Sequence, residues 1–124
     1  MQAETIAKIE VIKSSLKLLR KHVNFYDAQD RLADLELQTT AADFWNDQAA
    51  AQRVMREKNQ LERQIRVITS LQDEMTDAVG LIELGTAEGD DEIVAEAEAT
   101  MTSLAAIAEQ RQLESLLSGE ADGN

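Results

Sequence analysis

The side chains able to do chemistry are few and poorly placed for it. His22 is the only histidine and cysteine is absent, so neither a His/Cys metal cluster nor a thiolate nucleophile can be assembled. A cation at His22, in the last turn of a predicted helix, suits the helix dipole and needs no further role. Asp90, Asp91 and Glu92 do not follow the alternating ligand spacing of a calcium loop, and helix capping explains them. Acid–base catalysis needs a partly buried carboxylate pair with divergent pKa values, and long paired helices offer little concavity to hold one. No GxxxxGK(S/T), GxGxxG or GxSxG occurs. Serine and threonine without a base partner are poor nucleophiles. The expectation is a chain with no catalytic, cofactor-binding or metal-binding residues, no small-molecule ligand and no enzymatic activity of its own.

Two groups remain that can bind rather than react. Arg53, Arg56, Lys58, Arg63 and Arg66 form a basic cluster. Arg56 and Arg63 lie seven residues apart and share a helix face. The simpler account is a solvated face with ion pairs to Glu57 and Glu62; the functional account is a contact with RNA or an acidic protein. Phe44 and Trp45 lie in the one aromatic-dense stretch and are expected to plug the junction of two helices as structural anchors. An exposed aromatic there would instead be a binding hot spot.

Charge narrows the partners. The net charge is −12, but residues 1–40 balance six basic against six acidic side chains, and residues 41–72 carry five against four. Residues 73–124 hold only Arg111 against fourteen acids. A phosphate backbone is repelled by that half, so an RNA contact must use the earlier residues. A cationic protein can meet the acidic half.

Helices must position these groups. The 124 residues contain no proline and five glycines, with none before Gly80. Breakers are missing over the first two thirds of the chain, and good helix formers dominate. Ile9, Ile12, Leu16, Leu19 and Val23 step by three and four, which predicts a helix over about 3–23 with Asn24 as a break. Ala28, Leu32 and Leu35 mark a second helix over about 26–37. Residues 40–47 read as a turn or one short helical turn, with Asp47 capping the next helix. Val54, Leu61, Ile68, Met75 and Ile82 recur every seven residues, backed by Ile65, Leu71, Ala78 and Val79, predicting a coiled-coil-like helix over about 48–84. Gly85–Asp91 is the predicted turn. Val94, Ala97, Met101, Leu104 and Ala108, widened by Ile93, Ile107, Leu113 and Leu116, give a last helix over about 91–117. The short turn makes the last two helices antiparallel. The predicted fold class is all-α, an elongated helical bundle with a long antiparallel coiled-coil-like hairpin. Residues 1–117 form the domain, and 118–124 read as an exit linker. No apolar run approaches a membrane span, and the start resembles neither a signal nor a transit peptide, so a cytoplasmic location is expected.

The order of the motifs is more specific than any one of them. Tyr26-Asp27-Ala28 and Arg31-Leu32 precede Asp43-Phe44-Trp45-Asn46-Asp47; a long helix then ends Gly80-Leu81-Ile82-Glu83-Leu84. An acidic turn, Glu88-Gly89-Asp90-Asp91-Glu92, leads to a last helix that closes through Leu113-Glu114-Ser115-Leu116-Leu117 into Ser118-Gly119-Glu120-Ala121-Asp122. Nearly the whole chain in this order resembles the N-terminal domain of the bacterial peptide chain release factor 2 family. The resemblance implies translation termination at UGA and UAA codons. The family's codon-reading SPF tripeptide and hydrolytic GGQ loop are absent here, so those residues cannot be carried over, and the chain reads as an excised N-terminal fragment. The resemblance further implies the ribosome as partner, at the stalk-base rRNA near protein L11. Arg53, Arg56, Lys58, Arg63 and Arg66 are then candidate rRNA contacts, and Glu88, Asp90 and Asp91 at the hairpin tip a candidate protein contact. Two other classes stay open: a free-standing helical adaptor or coiled-coil oligomer, and a chorismate-mutase-like helical enzyme, which needs inward-facing arginines around a cavity.

Overall fold

A computed structural model describes the backbone of residues 1–122 and the side chains of residues 1–117. Among the described residues the chain is all-α: α1 is Ala3–Val23, α2 Phe25–Thr39, α3 Gln48–Glu88 and α4 Asp91–Asp122, with a single 3-10 turn at Phe44–Asn46. Asn24 breaks the first two helices, and does so in the left-handed conformation at φ 52°, which asparagine tolerates better than most residues. Asp47 Oδ1 accepts the backbone N–H of Ala50 at 3.1 Å, the N-cap of α3.

The predicted turn at Gly85–Asp91 is shorter in the structure, because α3 runs on through Glu88. Gly89, at φ +68°, takes the left-handed position just past the helix. The Gly89 N–H donates to the Thr86 carbonyl at 3.3 Å and the Asp90 N–H to the Gly85 carbonyl at 2.8 Å. Those two bonds are the Schellman closure of a helix. Asp90 then caps α4, accepting the Ile93 N–H at 3.2 Å. Helix α4 continues through Asp122, so the first five residues of the expected exit linker have helical backbone. Gly123 and Asn124, the rest of that linker, lie outside the described residues.

The chain divides into two compact units, residues 1–22 with 68–124, and residues 23–67. The first is a three-helix bundle of α1, the later part of α3, and α4. Ile9, Ile12, Leu16 and Leu19 of α1 are buried with Ile68, Leu71, Met75, Ala78 and Ile82 of α3 and Ala97, Met101, Leu104 and Ala108 of α4. These are the stripes the periodicity picks out. The stripe on α4 is narrower than expected: Ile107, Leu113 and Leu116 are 41%, 58% and 60% exposed. They sit off the Ala97–Met101–Leu104–Ala108 line that the other helices cover. Two buried hydroxyls set the pairing of α1 with α4. Thr5 donates to Glu98 at 3.0 Å and Ser15 to Gln112 at 2.8 Å. Both numbers rise together, so α1 and α4 run parallel, while the tight turn makes α3 antiparallel to both. Burial without a partner would cost each hydroxyl about 1–3 kcal/mol, so the two bonds specify this register.

The second unit is a helical hairpin of α2 and the first part of α3. Ala28, Leu35 and Ala51 are buried in it, and Leu32, Phe44, Val54 and Leu61 are half-buried.

Candidate nucleic-acid interface

The basic cluster lies within the 23–67 unit, on the first part of α3. At 3.6 residues per turn, Arg53, Arg56, Arg63 and Arg66 fall within about 140° of helix arc and along about 20 Å of its axis. Ala51, Val54, Leu61 and Ile65 point the other way, toward the core. All four arginines are exposed, as are Gln52, Asn59 and Gln60 between them. No acid sits inside this arc. The face is therefore cations interleaved with neutral amides, a surface suited to a polyanion.

Of the acids beside it, Glu57 is engaged by another helix, and Glu62 bonds Lys58 while sensing the charge of Arg66. Glu57 accepts two hydrogen bonds from Arg31 of α2, Nε to Oε2 at 2.7 Å and Nη2 to Oε1 at 3.0 Å. The Arg31 hydrogen bond, aided by its charge, holds the Glu57 carboxyl below its ordinary value, and the same pair raises Arg31. Glu62 accepts Lys58 Nζ at 2.6 Å, and that bond, with the charges of Lys58 and Arg66, lowers its carboxyl too. The structure thus divides the sequence cluster. Arg53, Arg56, Arg63 and Arg66 come together on one face, while Lys58 turns away, half-buried, to serve Glu62. Of the pairing expected for Glu57 with its own helix, nothing is seen among the described residues. Arg31 is the neighbour of the cluster that the sequence did not expose: it lies 26 positions from Glu57, beyond any helical spacing rule.

The aromatic pair is corrected as well. Phe44 is half-buried, but Trp45 is 60% exposed and so does not plug the helix junction. The two rings meet edge to face with centroids 5.0 Å apart, Phe44 being the more covered of the two. At the α3–α4 turn, Glu88 and Asp91 are exposed and Asp90 is half-buried by its capping role. His22 lies beside an open groove of about 220 Å³ whose lining includes Leu18, Leu19 and Leu116. That is below the usual range of ligand pockets, about 300–1,000 Å³. Among the described residues no arginine is buried; Arg20 is half-buried and donates to Gln72. An inward-facing arginine cavity of the chorismate-mutase kind therefore has no support.

Fold and surface together define an all-α protein with an arginine face in the 23–67 unit and an acid-rich bundle of residues 1–22 and 68–124. The PCRF domain family matches residues 28–124, and the chain belongs to that family. It is 42% identical to peptide chain release factor 2 of Paramagnetospirillum magneticum over 124 residues, all of this chain and 33% of that protein. The factor of the same name from Rickettsia bellii is 40% identical, again over the whole chain and 34% of the relative, and that of Ruegeria sp. is 38% identical over 33% of its length. The chain spans about a third of the length of the curated relatives it matches. No solved structure matches it. The resemblance carried by the ordered motifs is borne out.

Proposed function

We propose that this chain acts as the helical N-terminal domain of a stop-codon-dependent release factor of the UGA/UAA type, contributing to ribosome binding and positioning in the cytoplasm. The observation that carries the reading is the acid-free face of Arg53, Arg56, Arg63 and Arg66, joined to relatives named as release factors. On this reading the chain contributes no catalytic group; peptidyl-tRNA hydrolysis belongs to the rest of a longer protein. The arginine face meets rRNA phosphates at the stalk base, and the turn bearing Glu88, Asp90 and Asp91 meets a basic protein there, such as L11.

The test is charge reversal of the four arginines to glutamate in a full-length factor, with ribosome affinity measured across a salt series. Each phosphate contact contributes about 0.7–0.9 to the slope of log affinity against log salt, so losing four should flatten it by about 3. Unchanged affinity at low salt would sink the rRNA contact. For the turn, unaltered termination kinetics in an Asp90→Ala/Asp91→Ala factor would remove it from the interface.

A further inference from the structure

One of the two acids flanking the arginine face is held by a residue of another helix. Glu57 lies four residues after Arg53, the spacing at which opposite charges pair along a helix. Arg53 is also the only cation three or four residues from Glu57 in either direction. Yet both Glu57 oxygens are taken by Arg31, from the facing helix of the same unit. The planar guanidinium fork of Arg31 meets the carboxylate with two bonds, so each Glu57 oxygen already has a charged donor. Arg31 is itself steered from behind by Asp34, 3.5 Å from its Nη1.

We propose that Arg31 is a positioning residue for the arginine face: it holds Glu57 on the α2 side of the hairpin and so leaves Arg53 available to RNA phosphates. This rests on the reading of that face as an RNA contact. Without Arg31, Glu57 turns to Arg53, one cation is neutralised, and a carboxylate stands at the edge of the site. The role is specific to Glu57, because the other flanking acid, Glu62, has Lys58 as its own partner.

The experiment measures binding of the 124-residue chain to a fluorescently labelled A-form RNA duplex of about 20 base pairs, long enough to offer phosphates along the whole face. Arg31→Ala should weaken binding about threefold at low salt and lower the salt slope by about 1, the loss of one phosphate contact. Adding Glu57→Gln to that variant should restore both. Adding Asp34→Asn instead gives the same net charge but leaves Glu57 free, and should restore neither. A merely structural role for Arg31 predicts no difference between the two double variants. Wild-type binding by Arg31→Ala, or equal rescue by Glu57→Gln and Asp34→Asn, overturns the proposal. Full binding by the four-arginine charge reversal overturns the underlying reading as well, and does so without touching Arg31.

Discussion

Alanine placed at Gly80 and at Gly85 should shift stability in opposite directions, although both glycines lie in the same helix. Glycine inside a helix costs about 0.5–1 kcal/mol relative to alanine, through the backbone freedom it gives up. At Gly80 a Cβ meets nothing within 4 Å, so Gly80→Ala should recover that amount. At Gly85 the same gain is available, but the new Cβ would sit 2.8 Å from Val94 Cγ2 and 3.2 Å from both the Asp90 carbonyl oxygen and Ile93 Cγ2. Val94 and Ile93 are β-branched and stiff, and the Asp90 carbonyl is backbone in the turn. Relief requires moving α4 away from α3, and overpacking of this kind costs about 1–3 kcal/mol. Gly85→Ala should therefore lose about 1 kcal/mol net. For a chain of this size each change moves Tm by about 3–5 °C, upward for Gly80→Ala and downward for Gly85→Ala. Thermal and urea unfolding followed by far-UV circular dichroism reads both. Equal stabilisation by the two variants would refute the close approach of α3 and α4 at Gly85.

Met101 is fully buried in the three-helix unit, so Met101→Ala should cost about 2–5 kcal/mol in urea denaturation, with little change in m-value. Asp47→Ala removes the α3 cap and should cost about 1 kcal/mol, read in the same assay. Glu57 and Glu62 have folded-state pKa values below their ordinary ones. The stability they supply is present above the ordinary carboxylate range and is lost as pH falls through the lowered folded values. Glu57→Gln/Glu62→Gln should therefore flatten the acid side of the stability–pH profile. Because both pairs are partly exposed, the difference should shrink at about 1 M salt.

Much of this protein was legible in its residues. The buried stripes of α1 and α3, the break at Asn24 and the cap at Asp47 all follow from spacing and local chemistry, which act within a few residues. So does the shared face of the four arginines, since a helix fixes angles from sequence number alone. The ordered motifs were enough to indicate the family. Tertiary structure decided the rest. Periodicity says that a residue lies on a stripe but not whether a neighbour covers it, which is why Leu113 and Leu116 read as core and stand exposed. Size and apolarity say that Trp45 is worth burying but not that the chain supplies a place. Gly85 looked like the turn, yet it stays inside α3, which ends only just before Gly89, and Val94 packs where a side chain at 85 would lie. Glu57 looked like a partner for its own helix, and a guanidinium from α2, offering two bonds to its carboxylate, took it instead. Local spacing determines which groups share a face; only the packing of one helix on another determines which of them remain free to bind.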